Sequence, residues 1–147
     1  MTTSLDELAE RLQRVEELEA IKQLKARYCE ICDDDHNPDR IVTIFTEDCV
    51  WDGRGIGRAE GHAGLRELFE GFQKAMSFTQ HMAMNPRIEL HGDTAEGVWD
   101  FLGPFTFRNP EKTRWQVARY RERYVRSAGE WKIQHLAVEG RVIRERG

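Results

Sequence analysis

The sequence predicts an α+β fold in which three N-terminal helices pack on a strongly curved sheet, mixed but mostly antiparallel. Two observations favour this fold. Apolar residues recur every three or four positions in the first half of the chain, the period of a helix, and from Ser77 they alternate with polar residues, the period of a strand. The chain has 147 residues, a usual length for one domain, so residues 1–147 are expected to share a single core.

The first predicted helix begins after Ser4. In the segment "SLDE", Ser4 caps the helix and Glu7 reaches back to it, which is typical of a capping box. Apolar residues at helical spacing then predict one long amphipathic helix. Its apolar face is expected to carry Leu5, Leu8, Leu12, Val15, Leu18, Ile21, Leu24, Tyr28 and Ile31.

Two more helices and one strand are predicted before Ser77. Asn37 is a candidate cap and Pro38 the first residue of a short second helix. The segment "CVWDG", which begins at Cys49, indicates a brief strand, and the glycine-rich segment 53–61 indicates a loop. A third helix is expected over residues 62–76, and its inward face is formed by Leu65, Leu68, Phe69 and Phe72.

Strand patterns alternate with turns downstream of Ser77. The strands are predicted over residues 79–90, 95–107, 113–125 and 131–143, and the segments "HGDT", "NPEK" and "SAGE" are typical of turns. A sheet of this kind, curved over a long helix, leaves a concave space, and concave spaces are where small ligands bind.

The charge composition argues against several classes of function. The chain has 22 Lys and Arg against 26 Asp and Glu, a formal net charge of -4, and the two signs are interspersed. No nucleic-acid partner is therefore expected. The N-terminal segment is polar and charged, unlike a signal peptide or a membrane span, so the protein is expected in the cytoplasm with no membrane partner.

The three cysteines fit a reducing compartment, because Cys29, Cys32 and Cys49 are an odd number. Cys29 and Cys32 form a C-x-x-C motif inside a helical pattern, whereas redox motifs gain thiolate stabilisation at a strand-to-helix junction. Packing within the helix is thus favoured over redox or zinc chemistry. No metal and no cofactor are expected.

Asp33 and His81 have the clearest potential for chemistry. Asp33 is the first of three aspartates at a helix C-terminus, where the macrodipole disfavours negative charge. If Asp33 met His81, which lies in a predicted strand, the carboxylate would orient the imidazole as a base. Tyr28, one and a half turns earlier, would offer a phenol to a substrate oxygen. The alternatives are a core histidine at position 81 and a solvated acidic turn.

Four further residues are candidates for contact with a substrate. Trp99 and Phe101 share one face of a strand, and Trp51 and His135 lie on others. Core packing is the alternative for Trp51, and a backbone-bonded core position is equally favoured for His135. Asp100 alternates onto the opposite face and joins them only if a bulge intervenes. The remaining histidines are expected to be solvated, namely His36, His62 and His91.

These motifs together resemble the SnoaL-like family of the nuclear-transport-factor-like superfamily. The resemblance runs from about Leu18 to Ile133 and rests on "LEAIKQLKARYCEICDDDHNPDRIVTIFTEDCVWDG", "GLRELFEGF", "HMAMNPRIELHGDTAEG" and "RYRERYVRSAGEWKI". The family includes scytalone dehydratase, bile-acid 7α-dehydratase and hexachlorocyclohexane dehydrochlorinase. The resemblance implies a cone-shaped barrel, whose activities range from eliminations and isomerisations to binding alone.

The resemblance also implies roles for individual residues. The family's aspartate after the first helix falls on Asp33, its strand histidine on His81, and a pocket tyrosine in a K-x-x-Y context on Tyr28. A further catalytic aspartate of the bile-acid enzyme falls on Gly103. The sequence therefore departs from that enzyme while keeping the two residues that would abstract a proton.

The function expected is that of a cofactor-free lyase or isomerase of the dehydratase type. Its substrate would be a small hydrophobic alicyclic, aromatic or steroid-like compound, with His81 as base, Asp33 as its partner and Tyr28 as a polar contact. One alternative is a non-catalytic binding protein. The other is an epoxide-hydrolase-like hydrolase, whose aspartate–arginine–aspartate triad is not evident in the sequence. A homodimer or homotrimer is expected because the convex face mixes aromatic residues with arginines.

Overall fold

The computed structural model describes residues 2–141. Within that range the chain forms three α-helices, one 3-10 turn and seven strands. The helices are α1 (Leu5–Asp33), α2 (Pro38–Ile41) and α3 (Gly61–Ala75), and the 3-10 turn is Val42–Ile44. The strands are β1 (Phe45–Asp52), β2 (Arg58–Glu60), β3 (Met76–Thr79), β4 (Met82–His91), β5 (Thr94–Arg108), β6 (Glu111–Ser127) and β7 (Glu130–Gly140).

The strands form one curved, mixed sheet in the order β2-β1-β7-β6-β5-β3. Strands β1 and β7 are parallel, and the other neighbours are antiparallel. Strand β5 pairs with β6 along its whole length, while its other edge is shared by β4 and β3. The predicted α+β fold is confirmed, and the sheet curls around α1 and α3 as a half-barrel.

Helix α1 begins as predicted but packs along only part of its length. Glu7 donates its backbone N–H to Ser4 Oγ at 3.1 Å, and the Glu7 carboxylate accepts from the Ser4 backbone N–H at 3.3 Å, which completes the capping box. From Ile21 onward the inward-facing side chains are buried, namely Ile21, Leu24, Lys25, Tyr28, Cys29, Ile31 and Cys32. The expected apolar face is wrong for the first four turns, because this half of the helix extends past the sheet and exposes Leu5, Leu8, Leu12 and Val15.

The segment between α1 and α3 is shorter in helix and longer in strand than predicted. Asn37 caps α2 through bonds from the Asp39 and Arg40 backbone N–H groups, each 3.1 Å long. The spacing of Ile41, Ile44 and Phe45 predicts a helix that continues to Phe45, but α2 ends at Ile41 and β1 begins at Phe45. The loop predicted over residues 53–61 contains β2, which pairs with β1. Helix α3 is confirmed, with Leu65 and Phe69 buried against the sheet.

The later strands follow the predicted order, with turns at Gly92, Pro110 and Gly129. Strand β7 is described to Gly140, and the predicted continuation through Val142 and Ile143 lies outside the described residues. The core lies between the concave face of the sheet, α3 and the second half of α1. Its largest fully buried members include Tyr28, Tyr124, Phe45, Phe69, Ile133 and Leu136.

A buried polar network crosses this core beneath α1. Lys25, 1 % exposed, forms an ion pair with Glu122, which is 4 % exposed. Glu122 also accepts the Tyr124 hydroxyl, whose oxygen accepts from Trp99 Nε1 at 2.9 Å. The Lys25 ammonium lies 3.3 Å from the ring centroid of Tyr120. Each charge is therefore compensated, as a buried charge requires.

Candidate active site

A cavity of about 380 Å³ lies between α1, α3 and the concave face of the sheet. Its volume is within the range of small-molecule sites. The walls are mainly aromatic, and they are formed by Trp51, Phe69, Phe72, Phe101, Phe105 and Tyr120. Polar groups reach the cavity from Tyr28, Cys32, His36, His81, Gln116 and Glu139. An apolar chamber with a few polar groups is typical of a binding or catalytic site.

Asp33 and His81 form a carboxylate–imidazole pair at this cavity. Asp33 is the last residue of α1, and its Oδ1 lies 2.7 Å from His81 Nδ1. Its Oδ2 accepts the His81 backbone N–H at 2.9 Å, and Thr79 Oγ1 donates to Oδ1 at 3.0 Å. These donors offset the unfavourable position of a carboxylate at a helix C-terminus. They leave His81 Nε2 as the ring nitrogen available to a ligand.

The sequence predicts His81 in a strand, but the residue lies in a two-residue break between β3 and β4. Strand β5 runs past this break. Gln80 donates its backbone N–H to Pro104 O at 3.1 Å, and its carbonyl occupies the space above Gly103. A side chain at position 103 would overlap that carbonyl. The break therefore depends on glycine, and it turns the His81 ring against Phe101 and Phe105, at centroid distances of 5.1 and 4.8 Å.

Substitution of Gly103 by alanine should lower stability and displace His81. The added methyl group overlaps backbone rather than a flexible side chain, so we expect a loss of about 1–3 kcal/mol or more in the free energy of unfolding. Urea denaturation measures this loss. The control is Gly71→Ala in α3, where open space surrounds the site and alanine should be neutral or stabilising by about 0.5–1 kcal/mol. Equal stability of the two variants would contradict the prediction.

Burial lowers the pKa of His81, and the bond to Asp33 and its charge only partly offset this effect. The His81 side chain is 5 % exposed. The imidazole is therefore neutral near pH 7, which is the form that accepts a proton. With Nδ1–H directed at Asp33, the lone pair is on Nε2.

Tyr28 and Trp51 lie together in the wall of the cavity. Trp51 Nε1 donates to the Tyr28 hydroxyl at 3.1 Å, and the Tyr28 ring meets the His81 ring edge-on at 6.5 Å. Complete burial raises the pKa of Tyr28 well above its ordinary value, so the phenol keeps its proton. Phe101 lines the cavity beside them.

Two predicted substrate contacts lie elsewhere. Trp99 belongs to the buried network around Glu122 rather than to the cavity wall. His135 lines a groove on the other face of the sheet, among charged side chains that include Arg121 and Arg123. The reason is a bulge in β7 that leaves Gln134 without a partner in the β6 ladder, which shifts His135 away from the face of the buried strand residues before it.

Asp100 also stays outside the cavity. It accepts bonds from Asn85, Arg87 and Arg119 on the outer face of β5, and these donors lower its pKa to about 2. The β5–β6 register is continuous, so no bulge turns Asp100 inward.

His36 is the residue of the site that sequence reasoning missed. It was expected to be solvated, yet it is only 5 % exposed and lines the cavity. Asp35 and His36 both have positive φ, 50° and 47°, and this reversal folds the chain back under the end of α1. The imidazole packs 5.5 Å from Phe69 and 5.8 Å from His81, between ring centroids. The three preceding aspartates signal a turn, but not its burial.

The His36 ring should make the fold sensitive to mild acid. Burial lowers its pKa from 6.5 to about 4, so the unfolded chain binds a proton in a pH range where the folded chain does not. Stability should fall as the pH drops from about 6.5 towards 4, with a slope from this residue of up to about 1.4 kcal/mol per pH unit. His36→Gln should flatten the curve of unfolding free energy against pH. Parallel curves for the two proteins would contradict this.

A glycine-rich loop borders the cavity opposite the histidines. Gly53, Arg54 and Ile56 lie in the connection between β1 and β2 and contribute to the lining. Gly55 and Gly57 have φ values of 112° and 136°, which favour glycine. A bond of 2.8 Å from the Gly53 N–H to Gly57 O closes the loop.

Among residues 2–141, no helix combines the length and hydropathy needed to cross a membrane.

Several solved structures are similar to this protein in fold. A proposed aromatic ring hydroxylase from Novosphingobium aromaticivorans is 28 % identical, with a TM-score of 0.81 over 88 % of this chain and 92 % of that one. A type 2 hexachlorocyclohexane dehydrochlorinase is 25 % identical, with a TM-score of 0.84 over 90 % of each chain. A proposed scytalone dehydratase from N. aromaticivorans is 20 % identical, with a TM-score of 0.80 over 88 % and 87 %.

No curated protein sequence is significantly similar to the chain. The cone fold is shared with a nuclear transport factor 2-like superfamily protein from Salmonella enterica. The family model described as "SnoaL-like domain" matches residues 13–137, which is most of the chain. The protein therefore belongs to the SnoaL-like family, whose relatives include enzymes of the dehydratase and dehydrochlorinase type.

Proposed function

We propose that the protein is a cofactor-free lyase or isomerase of the dehydratase type, acting on a small hydrophobic alicyclic, aromatic or steroid-like compound. The observation that carries the proposal is the bond of 2.7 Å between Asp33 and His81 at an aromatic-walled cavity. A neutral imidazole whose second nitrogen is held by a carboxylate is a competent base, and the carboxylate stabilises the imidazolium that forms.

The shape and lining of the cavity support the proposed substrate class. Its 380 Å³ is near the lower end for small-molecule sites, and aromatic rings cover most of its surface. A compact ring compound with one or two polar groups fits such a chamber. In the proposed reaction, His81 Nε2 removes a proton from carbon and the leaving group departs from the neighbouring carbon. Tyr28, whose ring lies 6.5 Å from that of His81, donates to a carbonyl or a departing hydroxyl in this reaction.

The alternatives lack comparable support. A hydrolase of the epoxide type needs carboxylates and an arginine around a water in the cavity. Among the described residues the aspartate that pairs with two arginines is Asp100, with Arg87 and Arg119, and it is on the outer face of the sheet. A binding protein has no need of an imidazole oriented by a carboxylate, although it would use the same aromatic walls.

Proton abstraction is tested without knowing the natural substrate. The protein is incubated in D₂O with cyclic β-hydroxy ketones, cyclic enones and chlorinated cyclohexanes, and mass spectrometry follows deuterium uptake and loss of water or chloride. We expect exchange or elimination for at least one class, abolished by His81→Ala and retained by His91→Ala, a change at an exposed histidine in β4. Ligands that bind in the cavity with no exchange across all classes would favour the binding protein.

Self-association is also proposed, on the basis of an exposed apolar patch on the outer face of the sheet. Trp115 is 66 % exposed and pairs with Pro104, and Leu102 pairs with Met82 on the neighbouring strand. A surface of this kind is stabilised by contact with a copy of itself. Sedimentation at micromolar concentration should show a species heavier than the 17.2 kDa chain, and Trp115→Glu should dissociate it. A monomeric parent protein would contradict the proposal.

A further inference from the structure

Three potential metal ligands meet at one end of the cavity. Cys32 Sγ, one ring nitrogen of His36 and one of His81 all lie within 4.8 Å of one another. Cys32 and His36 are brought together by the turn that follows α1, in which the His36 N–H donates to Cys32 O at 3.0 Å. His81 approaches from the break between β3 and β4. The cluster thus joins two segments that are distant in sequence.

The donor set has the chemistry of a zinc site. Zinc prefers cysteine sulfur and histidine nitrogen, at about 2.3 Å and 2.0–2.1 Å, and tetrahedral coordination places such ligands roughly 3.3–3.8 Å apart. The three ligand atoms already lie within 4.8 Å of one another, so an ion would draw them closer by about 1 Å. Asp33 already holds His81 Nδ1, which is the carboxylate–histidine arrangement that supports metal-bound imidazoles. Three protein ligands leave the fourth coordination position open to water or a ligand.

The His36 ring has no other evident task within residues 2–141. No hydrogen bond among these residues reaches a ring nitrogen of His36. Every fully buried side-chain nitrogen or oxygen among the same residues does have a hydrogen-bond partner. The ring nitrogens of His36 are therefore not fully buried, and the residue lines the cavity. His36 is held there by the aromatic rings of Phe69 and Phe72, at 5.5 and 5.3 Å. A buried, neutral imidazole close to a thiol and a second imidazole is a suitable metal ligand.

We infer that Cys32, His36 and His81 bind a zinc ion, and that the ion inhibits the enzyme reversibly by occupying His81 Nε2. On binding, the Cys32 thiol loses its proton to solvent and its sulfur bonds to the metal; no electrons are transferred. The inhibitory part rests on the proposed function, because it requires His81 to be the base. The binding part does not.

Binding of Co²⁺, followed by its absorption spectrum, tests the proposed metal site directly. Metal-free protein, prepared with a chelator under reducing conditions, is titrated with Co²⁺ and then with Zn²⁺ as competitor. We expect one ion per chain, with a sulfur-to-cobalt charge-transfer band that zinc removes. Cys32→Ser and His36→Asn should each abolish the band. Cys29→Ser, one turn away, should retain it, and so should His91→Ala, which removes the exposed Glu89–His91–Glu96 cluster.

Several results would overturn the inference. They are the absence of a charge-transfer band in the parent protein, a band that survives Cys32→Ser, or one that is lost in His91→Ala. Activity of the metal-free protein is measured separately by deuterium exchange. If the metal-free protein is active and zinc suppresses the exchange, the inhibitory role stands; exchange that rises with zinc overturns it. Metal binding to a protein with no exchange would refute the proposed function and leave the metal site intact.

Discussion

Replacing His81 with alanine should lower turnover by about a hundredfold or more, the scale of general-base catalysis, and should leave the fold intact. The ring lies at the cavity edge in a break between strands, so its removal takes away no ladder hydrogen bond. The measurement is the rate of exchange or elimination on the substrate class found active, with circular dichroism and melting temperature as controls for folding.

Asp33→Asn should lose much of the same activity. An amide at position 33 has one acceptor oxygen, whereas the carboxylate accepts from the His81 backbone, His81 Nδ1 and Thr79. If the amide nitrogen faces the ring, it donates to Nδ1 and forces the proton onto Nε2, the wrong tautomer for a base. The double variant should be little worse than His81→Ala alone, because the two residues act as a unit.

A different pattern would change the interpretation of the site. Full activity in His81→Ala, accompanied by a lower melting temperature, would make His81 a packing residue. Losses that multiply in the double variant would mean that Asp33 acts on the substrate by itself. Each pattern is distinguishable from unfolding by circular dichroism.

Lys25→Met should cost about 3–5 kcal/mol of unfolding free energy, because it leaves the Glu122 carboxylate buried with no cation. The Tyr124 hydroxyl still donates to Glu122, but one neutral bond does not compensate a buried charge. The double variant Lys25→Met, Glu122→Gln should recover much of the loss, since a neutral amide still accepts from Tyr124. Urea denaturation measures all three proteins.

The matched control is an exposed ion pair. Arg58, on β2, is 54 % exposed and pairs with Asp52 and Glu60, so Arg58→Ala should cost no more than about 1 kcal/mol. Comparable losses for Lys25→Met and Arg58→Ala would show that the buried network contributes little. A double variant no better than Lys25→Met would assign the loss to packing of the lysine side chain rather than to charge.

The fold was predictable from the sequence because its signals are periodic and local. The capping box at Ser4, the cap at Asn37 and the alternation after Ser77 each specify an element without reference to the rest of the chain. The extension of α1 past the sheet was not predictable. An apolar stripe shows which face of a helix can be buried, but it does not show how far along the helix the sheet reaches.

The candidate site was predictable only where a residue belongs to a regular element or to the family pattern. The resemblance singles out Asp33 and His81, and the structure brings them into contact. The burial of His36 was not predicted because it results from a left-handed turn, which leaves no periodic pattern in the sequence. Trp99 and His135 were misplaced because strict alternation says nothing of which buried face borders a cavity, or of a bulge at Gln134.

The loop over residues 53–57 lines the cavity from a part of the chain that does not hold Asp33 or His81. Arg54 and Ile56 reach the cavity from a surface connection, whereas Asp33 and His81 are held by a helix end and a strand break. Ile56 is 66 % exposed, so new side chains there meet little steric opposition. Substitutions in this loop would therefore change the lining of the cavity and leave the contact between Asp33 and His81 in place. Under the proposed function, such substitutions would change which compound is bound and not which group removes the proton.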